Sequence, residues 1–155
     1  MKLLSDASEY ALRAVVWLAQ CPREPKKVRE IAAETCAAPG YLVKVLQSLA
    51  KAGILSAQRG IHGGFTLVRK PAELSVLEVI NAVDPIERIR HCPLALESHQ
   101  GRLCPMHQRI DDAMATIEAA FQDATIEQLL RDSERPDSLE HAPLAGGRHS
   151  DILRL

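Results

Sequence analysis

Hydrophobic residues recur at helical spacing in the first third of the chain and predict three helices. The stripe on residues 7–20 consists of Ala7, Ala11, Ala14, Val15 and Leu18. A second, short helix is predicted over residues 28–35. A third begins at Pro39 and ends before Gly53, because proline suits a first helical turn and glycine a helix end. Two short helices joined by a tight turn are typical of a helix-turn-helix.

The third helix carries an apolar face opposite a polar face that holds cations and no acid. The apolar face consists of Leu42, Val45, Leu46 and Leu49, and the polar face of Gly40, Tyr41, Lys44, Gln47, Ser48 and Lys51. A basic polar face on the second helix of such a pair is expected in a helix that enters the major groove of DNA. The sequence therefore predicts that Tyr41, Lys44, Gln47 and Lys51 contact bases and phosphates.

Two β-prone runs, 54–57 and 65–68, follow directly and predict a small hairpin. The loop between them contains Gly60, Gly63 and Gly64, which permit positive φ and close backbone approach and are predicted to lie at the DNA. Arg59 and His62 stand at its tip, where a narrow minor groove attracts cations. The predicted fold class is mainly α with a small β-hairpin wing: a winged helix-turn-helix. The additional cations expected to reach phosphates are Arg13, Lys26, Lys27 and Arg29.

The second half predicts a linking helix, a long helix and a short final helix. The linking helix is predicted over residues 74–84, and Ser75 and Glu78 form a capping box at its start. Thr125 and Gln128 form a second capping box, which begins the final helix through residue 131. Residues 107–123 carry an apolar seam typical of dimerisation, although packing within one chain remains an alternative. That seam consists of Ile110, Met114, Ile117, Phe121 and Ala124.

We therefore divide the chain into four parts. Residues 1–72 form the DNA-binding domain, 73–106 a linking helix and loop, 107–131 the dimerisation and final helices, and 132–155 a disordered tail. Residues 1–70 hold eleven basic and five acidic side chains, whereas 71–155 hold eight and fifteen. A basic first half indicates a polyanionic partner.

Composition and motifs exclude several classes of function. No run of about 18 apolar residues predicts a membrane span, and residues 1–10 lack the apolar core of a signal peptide. A cytoplasmic location is expected, where four cysteines suggest metal or redox chemistry more than disulfides. No nucleophile elbow, P-loop or paired carboxylates point to an enzyme, and no small-molecule substrate is predicted. A winged helix that binds protein and not DNA remains an alternative.

Several segments together resemble the IscR/NsrR superfamily of bacterial winged-helix transcriptional regulators. These segments are Tyr41–Leu49, Ala52–Leu55, the wing Arg59–Leu67, Glu9–Arg13 and Thr125–Leu130, so the resemblance covers about residues 1–131. It implies a homodimer that binds a palindromic DNA operator as a repressor. It also implies an iron–sulfur cluster, held in the loop before the dimerisation helix, that controls DNA binding.

The loop at residues 91–107 only partly matches the pattern of the cluster-binding relatives. Those relatives carry three cysteines there, whereas this chain has Cys92 and Cys104 at the outer positions and Ser98 between them. The resemblance implies that His107 is a further ligand. It also implies that Glu9 reaches the cluster from the partner subunit. Thr35 stands where one relative has a histidine ligand.

The identity of the bound group remains open at this point. A 2Fe–2S cluster takes four ligands and tolerates imidazole, so Cys92, Cys104, His107 and either Glu9 or His99 would suffice. A 4Fe–4S cluster is less favoured, because it would need Cys36 or Cys21 to move in. A structural zinc ion is also less favoured, because zinc sites prefer cysteines two to four residues apart and Cys92 and Cys104 are farther apart than that. Oxidation of Cys92 and Cys104 to a disulfide, without a cluster, is a further alternative, as is a loop that has lost its sensor.

Overall fold

The computed structural model describes residues 3–22, 24–94 and 102–133. Its helices are α1 (Asp6–Gln20), α2 (Val28–Thr35), α3 (Pro39–Lys51), α4 (Val76–Asn81), α5 (Pro105–Asp123) and α6 (Ile126–Ser133). Strands β1 (Leu55–Gln58) and β2 (Gly64–Leu67) form one antiparallel hairpin. The predicted fold class is confirmed. Ser98, His99 and the predicted tail beyond residue 133 lie outside the described residues.

Helices α1, α2 and α3 pack around one aliphatic core. The α1 helix begins where the side chain of Ser5 accepts a hydrogen bond from the backbone N–H of Ser8. Of the predicted stripe it buries Ala11, Ala14, Val15 and Leu18, while Ala7 is half-buried. The α3 helix buries all four of its predicted apolar residues. Gly53 follows α3 with a φ of +74°, a left-handed conformation that glycine adopts without strain. The core therefore holds α3 with its polar face directed away from the protein.

The wing is anchored to the loop before α2. Lys26 and Phe65 exchange two backbone hydrogen bonds, of 3.0 and 2.8 Å, beside the β1–β2 ladder. The pairing register runs from Leu55 opposite Leu67 to Gln58 opposite Gly64. The hairpin thus has a fixed orientation relative to the helix-turn-helix, which leaves its tip pointing outward.

The starts of α4 and α6 lie side by side. Ser75 and Thr125 form an isolated antiparallel bridge, and each begins a capped helix, as predicted. The α4 helix is shorter than the predicted 74–84: it ends at Asn81, and the N–H of Val83 bonds to the carbonyl of Ile80, three residues back, in a turn. The α6 helix extends through Ser133, so residues 132–133 are helical and not part of a tail.

The long helix α5 places few of its side chains in the core. The buried residue it contributes is the acid Asp111, whereas Met106 and Ile110 are exposed. At the far end Phe121 packs against the hydrophobic core, which combines residues of α1, α2 and α3 with residues of α4 and α6. Among the described residues no helix is long and apolar enough to cross a lipid bilayer.

Candidate nucleic-acid interface and metal centre

The polar face of α3 is exposed along its whole length. Tyr41, Lys44, Gln47 and Lys51 are all exposed, while the residues between them hold the helix to the core. Tyr41 also packs edge-on against Tyr10 of α1, with ring centroids 6.0 Å apart. This ring contact fixes the first turn of α3, where a recognition helix approaches base edges.

The wing tip combines exposed cations with tightly packed glycines. Arg59, Gly60 and His62 are exposed, and Gly60 has a φ of +106°. Gly63 is buried, and a Cβ placed on it would lie 2.3 Å from the carbonyl oxygen of Gln58. A Cβ on Gly64 would lie 2.5 Å from the carbonyl oxygen of Lys26. Glycine is therefore required at 63 and 64 by the fold of the wing itself.

The four predicted phosphate-contacting cations differ in how they are held. Lys27 and Arg29 are exposed at the start of α2. The Nζ of Lys26 lies 2.8 Å from a carboxylate oxygen of Glu24. Arg13 donates to the Glu9 carboxylate at 3.2 Å and to the backbone carbonyl of Thr35 at 3.5 Å. Lys26 and Arg13 would have to share or exchange these partners to contact a phosphate.

Two cysteines and one histidine converge where the loop segment meets the start of α5. The Sγ atoms of Cys92 and Cys104 and a ring nitrogen of His107 all lie within 4.8 Å of one another. The His107 Nδ1 faces both sulfurs, at 3.6 Å from Cys92 and 3.2 Å from Cys104. These three ligands, predicted from the sequence, are thus brought together within one chain.

The surroundings of Cys104 favour its thiolate form. Cys104 is the N-cap residue of α5 and is buried. The backbone N–H of His107, in the first turn, is the main cause that lowers the pKa of the Cys104 thiol to about 7, with help from the His107 ring and the Cys92 side chain. Burial acts in the opposite direction. A thiol with this pKa is substantially deprotonated at neutral pH, as a metal ligand must be.

The other candidate ligands are not part of this group within one chain. The Glu9 carboxylate is paired with Arg13 on the same helix. The Thr35 hydroxyl donates to the carbonyl of Ile31 at 2.6 Å, a satisfied bond inside α2. Cys21 and Cys36 end α1 and α2 as free cysteines. The described residues therefore supply three donors, and a fourth has to come from elsewhere.

The sequence reasoning missed a charged network beside this centre. Arg88 binds both carboxylate oxygens of Asp111, and it also reaches Glu118 on the same helix. The partners are 23 and 30 residues apart along the chain and follow no periodic pattern. The only signal available in the sequence was an acid, Asp111, placed between the apolar seam positions of α5.

Comparison with known families matches this chain to one model over residues 4–132. The model is that of Rrf2, described as an iron-dependent transcriptional regulator. Among curated relatives, the regulator IscR of Vibrio atlanticus is 28% identical over 135 residues, covering 86% of this chain and 78% of the relative. The regulator NsrR of Geobacillus kaustophilus is 26% identical over 132 residues, covering 83% and 90% respectively.

Solved structures share the fold. IscR of T. potens superposes with a TM-score of 0.69 at 24% identity, covering 86% of this chain and 89% of its own. CymR, the global cysteine regulator of B. subtilis, superposes with a TM-score of 0.68 at 22% identity, covering 84% and 98%. At identities of 24% and 22%, these superpositions show a shared fold.

Proposed function

This chain belongs to the Rrf2 family of transcriptional regulators, as a DNA-binding regulator and not an enzyme, and we propose that it is a homodimeric repressor controlled by an iron–sulfur cluster. The observation that carries the proposal is the convergence of Cys92, Cys104 and His107 on one point, beside the helix that would join two subunits. The protein would act in the cytoplasm on a palindromic DNA operator.

The donor set fits a 2Fe–2S cluster better than a 4Fe–4S cluster. Two thiolates and one imidazole are available, and imidazole is an accepted ligand of 2Fe–2S centres. The fourth ligand is Glu9 of the partner subunit. Its carboxylate would leave the ion pair with Arg13 and bind the cluster, which would connect the metal centre to α1. When bound, such a cluster supplies a one-electron couple and sensitivity to oxidants. The residues of this chain hold it and exclude water around Cys104.

The homodimer is supported by the exposure of α5. Met106 and Ile110 are exposed, at 56% and 43%, on a helix whose buried residue is an acid. Apolar positions spaced by four and three residues form a seam that a second copy of the same helix would cover. A two-fold axis there presents two α3 helices to successive major grooves, about one helical turn apart.

A thiol switch is the second candidate for the control of DNA binding. The Cys92 and Cys104 sulfurs lie within 4.8 Å of each other, and one of the two thiols has a pKa of about 7. Oxidation by peroxide or a disulfide would join them with loss of two electrons and two protons. The same centre then senses oxidants without iron.

The DNA-binding surface is tested by single substitutions in the full chain. We expect Lys44→Ala and Arg59→Ala each to weaken binding to an operator selected from random duplex DNA by tenfold or more. Each lost phosphate contact should also reduce the slope of log affinity against log salt by about 1. Arg131→Ala, which removes an exposed cation of α6, is the matched control and should bind as the parent does. Unchanged binding in both Lys44→Ala and Arg59→Ala would contradict these contacts and favour the protein-binding alternative.

A further inference from the structure

Arg88 and Asp111 form the most extensively bonded ion pair of the second half of the described chain. The Arg88 Nε and one terminal nitrogen donate to the two Asp111 oxygens at 2.7 and 2.6 Å, and the other terminal nitrogen donates to Glu118 at 3.3 Å. The backbone N–H of Ile89 adds a bond of 2.9 Å to Asp111. A two-pronged contact of this kind fixes orientation as well as distance.

Asp111 is a buried acid on a helix that contributes no other buried residue among those the structure describes. It is 8% exposed, on a helix that leaves Ile110 exposed. Arg88 and the N–H of Ile89 hold the pKa of the Asp111 carboxyl below its usual range. The acid is therefore charged at neutral pH, and both of its oxygens accept hydrogen bonds from the segment that runs toward Cys92.

The pair lies in register with the three metal-binding side chains. Arg88 comes four residues before Cys92, and Asp111 comes four residues after His107 and seven after Cys104. Steps of four and seven residues return to the same helical face, so Cys104, His107 and Asp111 form one column on α5. The segment from Arg88 to Cys92 runs in the opposite direction to α5, since Ile89 contacts Asp111 and Cys92 contacts His107.

We propose that Arg88 and Asp111 are positioning residues that hold Cys92 against Cys104 and His107. This inference rests on the proposed metal centre and assigns a role to residues outside its ligand set. Without the ion pair, Cys92 would lie in a long tether between the end of α4 and the start of α5, and its local concentration near Cys104 would fall. The Arg88–Asp111 ion pair thus restricts the position of Cys92 before any metal binds.

The test measures metal affinity in the full-length apoprotein with Cd²⁺ as the probe, followed by thiolate-to-metal absorption. We expect Asp111→Asn to weaken Cd²⁺ binding by tenfold or more, the usual effect of losing a group that orients a ligand. Asp112→Asn is the matched control, since Asp112 is the exposed neighbour of Asp111 on the same helix. A circular dichroism spectrum that matches that of the parent separates this loss of affinity from a folding defect.

Arg88→Lys keeps the charge but loses the two-pronged contact, and it serves if Asp111→Asn fails to fold by circular dichroism. Parent-like Cd²⁺ affinity in Asp111→Asn or, in that case, in Arg88→Lys would overturn the proposal. So would an equal loss of affinity in Asp112→Asn. These outcomes concern Cd²⁺ and apoprotein alone. They are therefore distinct from the failure of the regulatory proposal, which would appear as operator binding that does not respond to the cluster.

Discussion

Gly63 and Gly64 show that residues predicted for the DNA interface can be required by the fold. Both were predicted from the sequence as DNA-binding residues because the loop is rich in glycine. In the structure their α-carbons lie against the backbones of Gln58 and Lys26, which leaves no space for a side chain. Their direct contact with DNA stays a prediction, and their effect on stability is independent of it.

Gly64→Ala is expected to destabilise the folded protein by about 1–3 kcal/mol, the usual cost of forcing atoms into a packed site. The added Cβ would meet three backbone atoms of Lys26 at 2.5 to 2.9 Å, and a backbone cannot rotate away. Urea denaturation followed by circular dichroism measures the change. Gly40→Ala is the control, because a Cβ there meets nothing within 4 Å. Equal stability of the Gly64→Ala variant and the parent would contradict the close approach.

Asp111 gives a prediction about pH. Its pKa is lowered in the folded state by Arg88, so the ion pair contributes stability above the unfolded pKa, about 4, and loses that contribution as pH falls through the lower folded value. Asp111→Asn should therefore be less stable than the parent at pH 7, and the difference should shrink as the pH falls below about 4. Thermal unfolding of both proteins from pH 7 to pH 3 measures this. A difference that does not change with pH would show that the charge of Asp111 is irrelevant.

At the scale of single residues, the sequence identified the three converging side chains but not the ion pair beside them. The resemblance supplied Cys92, Cys104 and His107 as neighbours on a known pattern. The Arg88–Asp111 pair joins an irregular segment to a helix across 23 residues, so no local periodicity reveals it. The bridge between Lys26 and Phe65 escaped prediction for the same reason.

Among the elements, α5 leaves apolar side chains of its predicted seam uncovered in the single chain. Its Met114 and Ile117 are half-buried and its Ile110 is exposed, although all three belong to the predicted seam. Phe121, at the end of the same seam, packs against the core. The seam therefore serves the monomer at its C-terminal end and is available for a second copy toward its N-terminal end.

Ile110→Glu is expected to weaken the homodimer by at least tenfold, because a charge placed in an apolar helix seam has to be desolvated on association. Sedimentation equilibrium of the full chain measures the change. Thr116→Glu is the matched control: Thr116 is exposed and lies six residues along α5, about 120° around the helix from Ile110 and outside the apolar seam. A parent that sediments as a monomer, or equal dimer stability in both variants, would contradict the role given to α5.

The elements themselves followed from periodicity and capping more closely than the connections did. The predicted bounds of α2 are those observed, and both capping boxes are confirmed by hydrogen bonds at Ser75 and Thr125. The predicted end of α4 was wrong: the helix ends at Asn81, and a three-residue turn from Ile80 to Val83 follows it. The short 3₁₀ helix at Pro71–Glu73 carries no apolar repeat and was not predicted.

In the whole molecule, α5 carries the candidate metal centre at one end and contacts the shared hydrophobic core at the other. Cys104 caps the helix and His107 lies in its first turn, while Phe121 near its end packs against the core to which α3 also contributes. A change in ligation at the first turn would thus act on a rigid rod joined to the DNA-binding domain and, in the proposed dimer, to a second copy. Control of DNA binding through such an interface requires two packing arrangements of similar free energy.

The measurement that tests this account most directly compares operator affinity with and without the cluster. Protein purified without oxygen is assayed for iron, sulfide and visible absorption, and its affinity for the selected operator is measured before and after the cluster is removed by a chelator. We expect iron and sulfide in equal amounts, their loss in Cys92→Ser and Cys104→Ser, and a change in affinity of at least fivefold on removal, as typical coupling energies give. An iron-free protein whose affinity changes on oxidation of Cys92 and Cys104 would favour the thiol switch. An affinity that is the same with and without the cluster would contradict the central claim.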